Sequence, residues 1–207
     1  MKNNIQFVRI VSGSNQPDDL TPSIYVDDFH AAYDITEYLI HLGHRSIAFL
    51  GGQLAHRSSV ERLNGYKAAL EHHGIPADQR LILGGDYSFD SGSERTTRLL
   101  NLDPTPTAIF ACNDEIAAGS LFAARVKQVA VPRDLSIVGF EDSPFSRQSW
   151  PRLTTAHQPN TDIAQSAADL LIKTIRATRQ EDSQEEALNT GFRPELVVRE
   201  SSGASPN

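Results

Sequence analysis

Four apolar runs of the sequence end in side chains that can bind or react. SIAFLGG (46–52) leads to Ser58, Ser59 and Arg62, and LILGG (81–85) to Asp86 and Tyr87; TAIFAC (107–112) leads to Asn113 and Asp114, and LSIVGF (135–140) to Glu141 and Asp142. An amide, a guanidinium and carboxylates beside an aromatic face suit a polyhydroxylated small molecule, which offers donors, acceptors and apolar C–H surfaces. A sugar or a nucleoside fits this chemistry. Catalysis and metal binding fit less well. No Gly-x-Gly-x-x-Gly, Walker or Gly-x-Ser-x-Gly pattern follows an apolar run. His44 and His157 have no partner at a spacing such as His-x-x-x-His, and the pair His72-His73 suits a solvated helix end. The lone Cys112 lies inside an apolar strand and reads as a small buried residue rather than a nucleophile. No cofactor, metal or enzymatic activity is expected.

Each binding candidate also has a plainer reading. Asn113 is equally suited to cap the helix that follows it. Arg62 has the spacing of a surface helix residue paired with a neighbouring carboxylate. Tyr87 and Trp150 can serve as packing residues, Trp150 at the rim of a cleft or at a subunit interface.

The elements that must position these groups alternate. A helix is predicted over 28–43, capped by Asp27 or Asp28 and stopped at Gly43. Ser58-x-x-Glu61 and Ser91-x-x-Glu94 read as capping boxes of the next two helices, the first stopping at Gly74 and the second near Leu102. A further helix covers about 114–127. The strands between them are nearly all apolar, as in a parallel sheet covered on both faces, so the pattern predicts a doubly wound α/β sheet. Residues 141–159 read as a loop or crossover. An amphipathic helix from Asn160 to about 178 carries Ile163, Ala167, Leu170, Leu171 and Ile175, and its last three apolar residues are expected to expose surface if nothing covers them. Segment 5–12 reads as a strand, 180–187 as an acidic exposed connection, ELVVRES (195–201) as a last strand, and SGASPN as a frayed tail.

Bulk properties narrow the classes. A chain of 207 residues can bury a sizeable core. With 19 Lys+Arg against 26 Asp+Glu and no basic cluster, it is not expected to bind nucleic acid by itself. No apolar run is long enough for a membrane span or a signal peptide, so a cytoplasmic protein is expected.

The blocks LIHLGHRSIAFLGG, ERLNGYKAALEHHGI, PTAIFACNDEIAAG, VPRDLSIVGFED, PRLTTAHQP and RPELVVRES, in this order, resemble the effector-binding core of LacI/GalR-family bacterial transcription regulators over residues 24 to 201. The resemblance implies a periplasmic-binding-protein-like core of type I. In it, two α/β subdomains close on a small effector, often a sugar, while a separate N-terminal helix-turn-helix domain, missing here, binds an operator. It places Arg62 where the family clamps its effector, Asn113 on the family's Asn-Asp asparagine, Tyr87 at a position often aromatic, and Ser58 and Asn160 at lining positions. Glu141 stands in GFED where the family has a ligand-binding aspartate in GFDD. On this reading residues 1–25 are a remnant of the N-terminal subdomain, 26–157 the complete C-terminal effector-binding subdomain, 158–180 a helix returning to the first subdomain, 181–201 a linker and last strand, and 202–207 a disordered tail. The expected partners are a sugar-like effector and a second copy in a homodimer, with DNA reached only through the missing domain and no membrane. Arg62 is expected to be essential for binding and dispensable for folding. The alternative is a solute-binding protein of a sugar transporter.

Overall fold

The computed structural model describes residues 6–12, 21–180 and 189–206. In chain order the elements are β1 (Arg9–Ser12), β2 (Ser23–Val26), α1 (Asp28–His41), β3 (Ile47–Leu50), α2 (Arg57–His72), β4 (Ile82–Leu83), α3 (Phe89–Leu99), β5 (Ala108–Ala111), α4 (Asp114–Val126), β6 (Ser136–Glu141), α5 (Pro144–Gln148), β7 (Thr154–His157), α6 (Asn160–Gln180), β8 (Asn189–Phe192) and β9 (Glu195–Val197). Six strands form one sheet in the order β4-β3-β5-β6-β7-β9. It is parallel except at β9, which runs against β7. Strands β1, β2 and β8 form a second, parallel sheet. This is the α/β architecture that the alternation predicts.

Every residue of β3 and of β5 is buried, which requires cover on both faces and accounts for their unbroken apolar sequence. Helix α1 packs on α2, and α3 on α4. Gly65 allows the first contact and Gly119 the second, since a Cβ at either would collide with a carbonyl oxygen, of Phe29 and of Phe89 respectively. From β3 the chain goes first to the edge strand β4 and then to β5 on the other side of β3. A topological switch point therefore lies between the carboxyl ends of β3 and β5, where open α/β sheets bind ligands.

Several expectations need correction. Asp27 caps α1 as predicted, accepting from the His30 N–H at 3.1 Å. The two Ser-x-x-Glu boxes, however, are not the caps. Helix α2 starts at Arg57 after His56, which puts Ser58 inside the first turn. Helix α3 is capped by Ser88, whose Oγ accepts from the Ser91 N–H at 3.2 Å. The segment SFDSGSE offers three hydroxyls, and their order alone does not say which one caps. Helix α3 ends at Leu99, short of Leu102. Residues 141–159 contain α5 and β7; the core of β7, Thr154-Thr155-Ala156, is buried although two of its three side chains are hydroxylic. Strand β8 was not expected either, because Asn189-Thr190-Gly191 carries no strand signal.

The tail does not fray. Ser201 Oγ donates to Ile137 O at 2.6 Å, Gly203 N donates to Ser136 Oγ at 3.0 Å, and Ser205 N donates to Leu42 O at 2.9 Å. Residues 181–187 of the acidic connection lie outside the described residues, as do 1–5 and 13–20. Leu170, Leu171 and Ile175 are half-buried rather than open, Leu170 packing with Ile24, Val26 and Ile163. The exposed apolar surface near the second sheet falls on Phe7, Ile10 and Ile172. Trp150 is 85% exposed, so it is not packed in the core of the described residues. Among the described residues no helix is long and apolar enough to cross a membrane.

Candidate functional site

The carboxyl ends of β5 and β6 and the start of α1 converge on Arg62. From α2 its Nε donates to Asp28 Oδ1 at 2.7 Å and its Nη1 to the Cys112 carbonyl at 2.5 Å, while the guanidinium carbon lies 3.6 Å from the centre of the Phe140 ring. Arg62 is 4% exposed and Asp28 fully buried, so the surface-residue reading of Arg62 fails. Burial, the largest single influence, would lower the arginine's pKa, but the charge and hydrogen bond of Asp28 together with the nearby Cys112 and Glu141 turn the net shift upward. The pair also changes the expected division of labour. Removing Arg62 would take the opposite charge from a buried carboxylate, so this residue carries part of the fold.

Glu141 ends β6 in a conformation that side chains seldom adopt, with φ of 113° followed by 57° at Asp142. The surroundings hold it there. Asp142 Oδ1 accepts from Ser146 Oγ and Arg199 Nη2, each at 2.7 Å, and its Oδ2 lies 3.1 Å from His157 Nδ1. One residue on, Ser143 N donates to Asp114 Oδ2 at 2.7 Å, and Thr155 Oγ1 donates to Asp114 Oδ1 at 2.6 Å. Burial works against the charge on Asp142, yet the bonds from Ser146 and Arg199 hold its carboxyl below the usual range. Asp114 goes the other way, pushed up by burial despite its two donors.

Glu141 itself is half-buried, and among the described residues no donor bonds its carboxylate. Burial raises its pKa, the Arg62 charge opposes that rise, and Asp114, Glu115 and Asp28 add to it. Two open cavities meet at this residue. One, of about 510 Å³, is lined by Glu141, Asp142, His157 and Asn160 among others. The other, of about 380 Å³, is lined by Asn113, Asp114, Glu141, Ser143 and the rings of Phe89 and Phe145.

The structure thus brings Glu141 together with Asn160 in one cavity and with Asn113 in the other. Asn113 is also a cap: Oδ1 accepts from Ile116 N at 2.9 Å, and Nδ2 donates to Tyr87 O at 3.3 Å. Asn160 is exposed, its Oδ1 accepting from Gln158 Nε2 at 2.8 Å. Tyr87 and Ser58 line neither cavity. The Tyr87 ring lies over Gly52, where any Cβ would collide with it, and its hydroxyl pairs with Ser59 Oγ at 2.7 Å and only loosely with Ser58 Oγ at 3.5 Å. Arg62 lies on the wall of neither cavity and reaches Glu141 through its charge.

Three partners have no local signal in the sequence: Asp28 and Phe140 against Arg62, and Arg199 against Asp142, each more than thirty residues from the group it meets. His44 is a structural residue. It is fully buried, with Nε2 at 3.0 Å from the Gly203 carbonyl and Nδ1 at 2.9 Å from Thr107 Oγ1. His72 and His73 are more than a solvated helix end, since His72 meets Tyr33 of α1 and His73 Nε2 lies 3.0 Å from Glu37 Oε1.

Residues 36–202 match the family described as the periplasmic binding protein-like domain. The chain is 38% identical over 165 residues to catabolite control protein A of Priestia megaterium, covering 79% of this chain and 50% of that protein. It is 34% identical over 199 residues to the HTH-type transcriptional repressor PurR of Actinobacillus pleuropneumoniae serotype 3 (strain JL03), covering 96% of this chain and 58% of that one. The chain therefore spans about half the length of the curated relatives it matches. Among solved structures, a regulatory protein of the LacI family from Chloroflexus aggregans superposes with a TM-score of 0.84 at 31% identity, over 94% of this chain and 68% of that one. The transcriptional regulator CelR in complex with cellobiose does so with a TM-score of 0.82 at 30% identity, over 93% of this chain and 58% of that one. The sheet order and these matches agree: the chain belongs to the periplasmic binding protein-like family, in the form found in LacI/GalR-type transcription regulators.

Proposed function

We propose that this chain is the effector-sensing core of a LacI/GalR-type transcription regulator, binding a sugar or related small polar ligand at the end of β6. Ligand binding is coupled to operator binding by a DNA-binding domain outside these residues, and two copies pair in the working regulator. The observation that carries the reading is the Glu141 carboxylate. It is half-buried, raised in pKa, without a bonded donor among the described residues, and held at the junction of two cavities by a backbone its neighbours over-determine. Hydroxyl groups of a ligand would supply the missing donors. The cellobiose held by a structural neighbour of the same fold supports a carbohydrate ligand. Arg62 adds positive charge behind the carboxylate. Coupling requires only that the ligand favour one arrangement of the core over another by a free energy comparable to the regulatory effect.

Calorimetric titration with cellobiose, D-ribose, D-glucose, adenosine and inorganic phosphate tests this reading. One of the carbohydrates or the nucleoside is expected to bind saturably, and Glu141→Gln should weaken it at least about tenfold, roughly 1.4 kcal/mol. The same variant should unfold at higher urea concentration near neutral pH. A carboxyl whose folded pKa is raised contributes stability at low pH and loses it as pH rises through that pKa, so removing its charge relieves a cost. Unchanged affinity in Glu141→Gln would take this residue out of the site.

A further inference from the structure

The C-terminal ends of α1 and α2 hold a second cluster of polar side chains. They lie at the end of the sheet where β3 begins, away from the carboxyl ends of the strands. Glu37 and His41 are one turn apart on α1 and share a face. His73 follows the last residue of α2, with Nε2 at 3.0 Å from Glu37 Oε1 and its ring meeting that of His41 edge-on at 5.6 Å between centres. The three potential ligand atoms lie within 4.8 Å of one another. A supporting layer is present: Tyr33 Oη donates to the same Glu37 oxygen at 3.3 Å and also meets His72 Nδ1.

We propose that Glu37, His41 and His73 bind one transition-metal ion of the Zn²⁺, Co²⁺ or Ni²⁺ class, which clips α1 to α2. Two imidazoles and a carboxylate form the donor set that borderline cations prefer, whereas Mg²⁺ and Ca²⁺ favour oxygen-only shells. Tetrahedral bonds of about 2.0 Å put ligand atoms about 3.3 Å apart. Glu37 and His73 already stand near that separation, and His41, exposed at the helix surface, reaches it by rotating its ring. Three protein ligands leave the fourth position to water. The Tyr33 hydroxyl orients the carboxylate as outer partners of metal ligands commonly do. A plain Glu37–His73 ion pair, with His41 merely favoured by the end of its helix, would bind no ion at one per chain.

The test uses the untagged 207-residue chain, stripped with chelator and dialysed. It is titrated with ZnCl₂ by calorimetry and with CoCl₂ by visible absorption. One ion per chain is expected, with the visible band of four- or five-coordinate Co²⁺ and no response to MgCl₂. His41→Ala and Glu37→Gln should each weaken Zn²⁺ binding at least tenfold while leaving the circular dichroism spectrum unchanged. His30→Ala, which removes an exposed imidazole elsewhere on α1, should alter binding less than twofold. No saturation near one equivalent, or binding that survives unchanged in both His41→Ala and Glu37→Gln, would overturn the site.

Discussion

Two arginines, Arg62 on α2 and Arg95 on α3, are each 4% exposed and each reaches the end of a strand, yet they are bound in opposite ways. Arg95 has acceptors on every guanidinium nitrogen. Nε donates to Ser91 O at 2.9 Å, Nη1 to Gly51 O at 2.5 Å and Leu83 O at 2.9 Å, and Nη2 to Asp86 O at 3.1 Å. All four acceptors are carbonyls, and burial, the dominant influence, lowers its pKa. Arg62 has a carboxylate partner, one carbonyl, an aromatic face and, among the described residues, no acceptor for Nη2. Arg95 rivets the edge between β3 and β4; Arg62 sits at the switch between β3 and β5 beside Glu141. Burial at a strand end therefore does not by itself mark a binding residue. Counting which donors the fold has already used separates the two.

The largest effect that should follow is on stability at Arg62. Arg62→Ala leaves Asp28 charged and enclosed, and should cost about 3–5 kcal/mol in urea unfolding. Introduced into an Asp28→Asn background, the same change should cost at least about 1 kcal/mol less, because the two positions share one interaction. Strict additivity would mean that the pair contributes nothing as a pair. Arg95→Met should cost somewhat less, about 3 kcal/mol, by leaving enclosed carbonyls such as that of Gly51 without a donor. Ligand affinity of the folded Arg95→Met protein should change less than about threefold, under about 0.7 kcal/mol. A larger loss would erase the distinction between rivet and binding residue.

Sequence legibility followed the range of the interactions. Helices α1, α2 and α4 announce themselves through apolar spacing and a stop such as Gly43 or Gly74, both of which have positive φ. Asn113 was readable as a group at a strand end because its position depends on a strand and a helix adjacent in sequence. Arg62 was readable as important, but its partner Asp28 lies 34 residues away on a different helix, and nothing local selects that carboxylate. The backbone at Glu141-Asp142 was not readable at all: left-handed conformations are anticipated where glycine stands, and here contacts from Arg199, Ser146 and His157 impose one on two acidic residues. The Glu37, His41 and His73 cluster is hidden for a similar reason: a His-x-x-x-His spacing lies on one helix, whereas these three side chains come from α1 and the end of α2.

The end of the chain gives the smallest of the expected effects and the clearest contrast with the two arginines. SGASPN has the composition of a frayed tail, but its backbone bonds the Ser136 hydroxyl of β6 and the Leu42 carbonyl after α1, and His44 ties it down through Gly203 O. With its proton on Nε2 to reach that carbonyl, the neutral ring leaves Nδ1 to accept from Thr107. Burial, only partly offset by the Gly203 bond, depresses the His44 pKa below its ordinary 6.5. The unfolded chain therefore takes up the proton first as pH falls, so the contribution of His44 is fully present above about 6.5 and is lost on acidification through the folded pKa. The urea midpoint should fall between pH 7.5 and pH 5, and His44→Gln should flatten that dependence while lowering stability at pH 7.5. An equally steep dependence in His44→Gln would place the responsible proton elsewhere and reduce His44 to a packing residue.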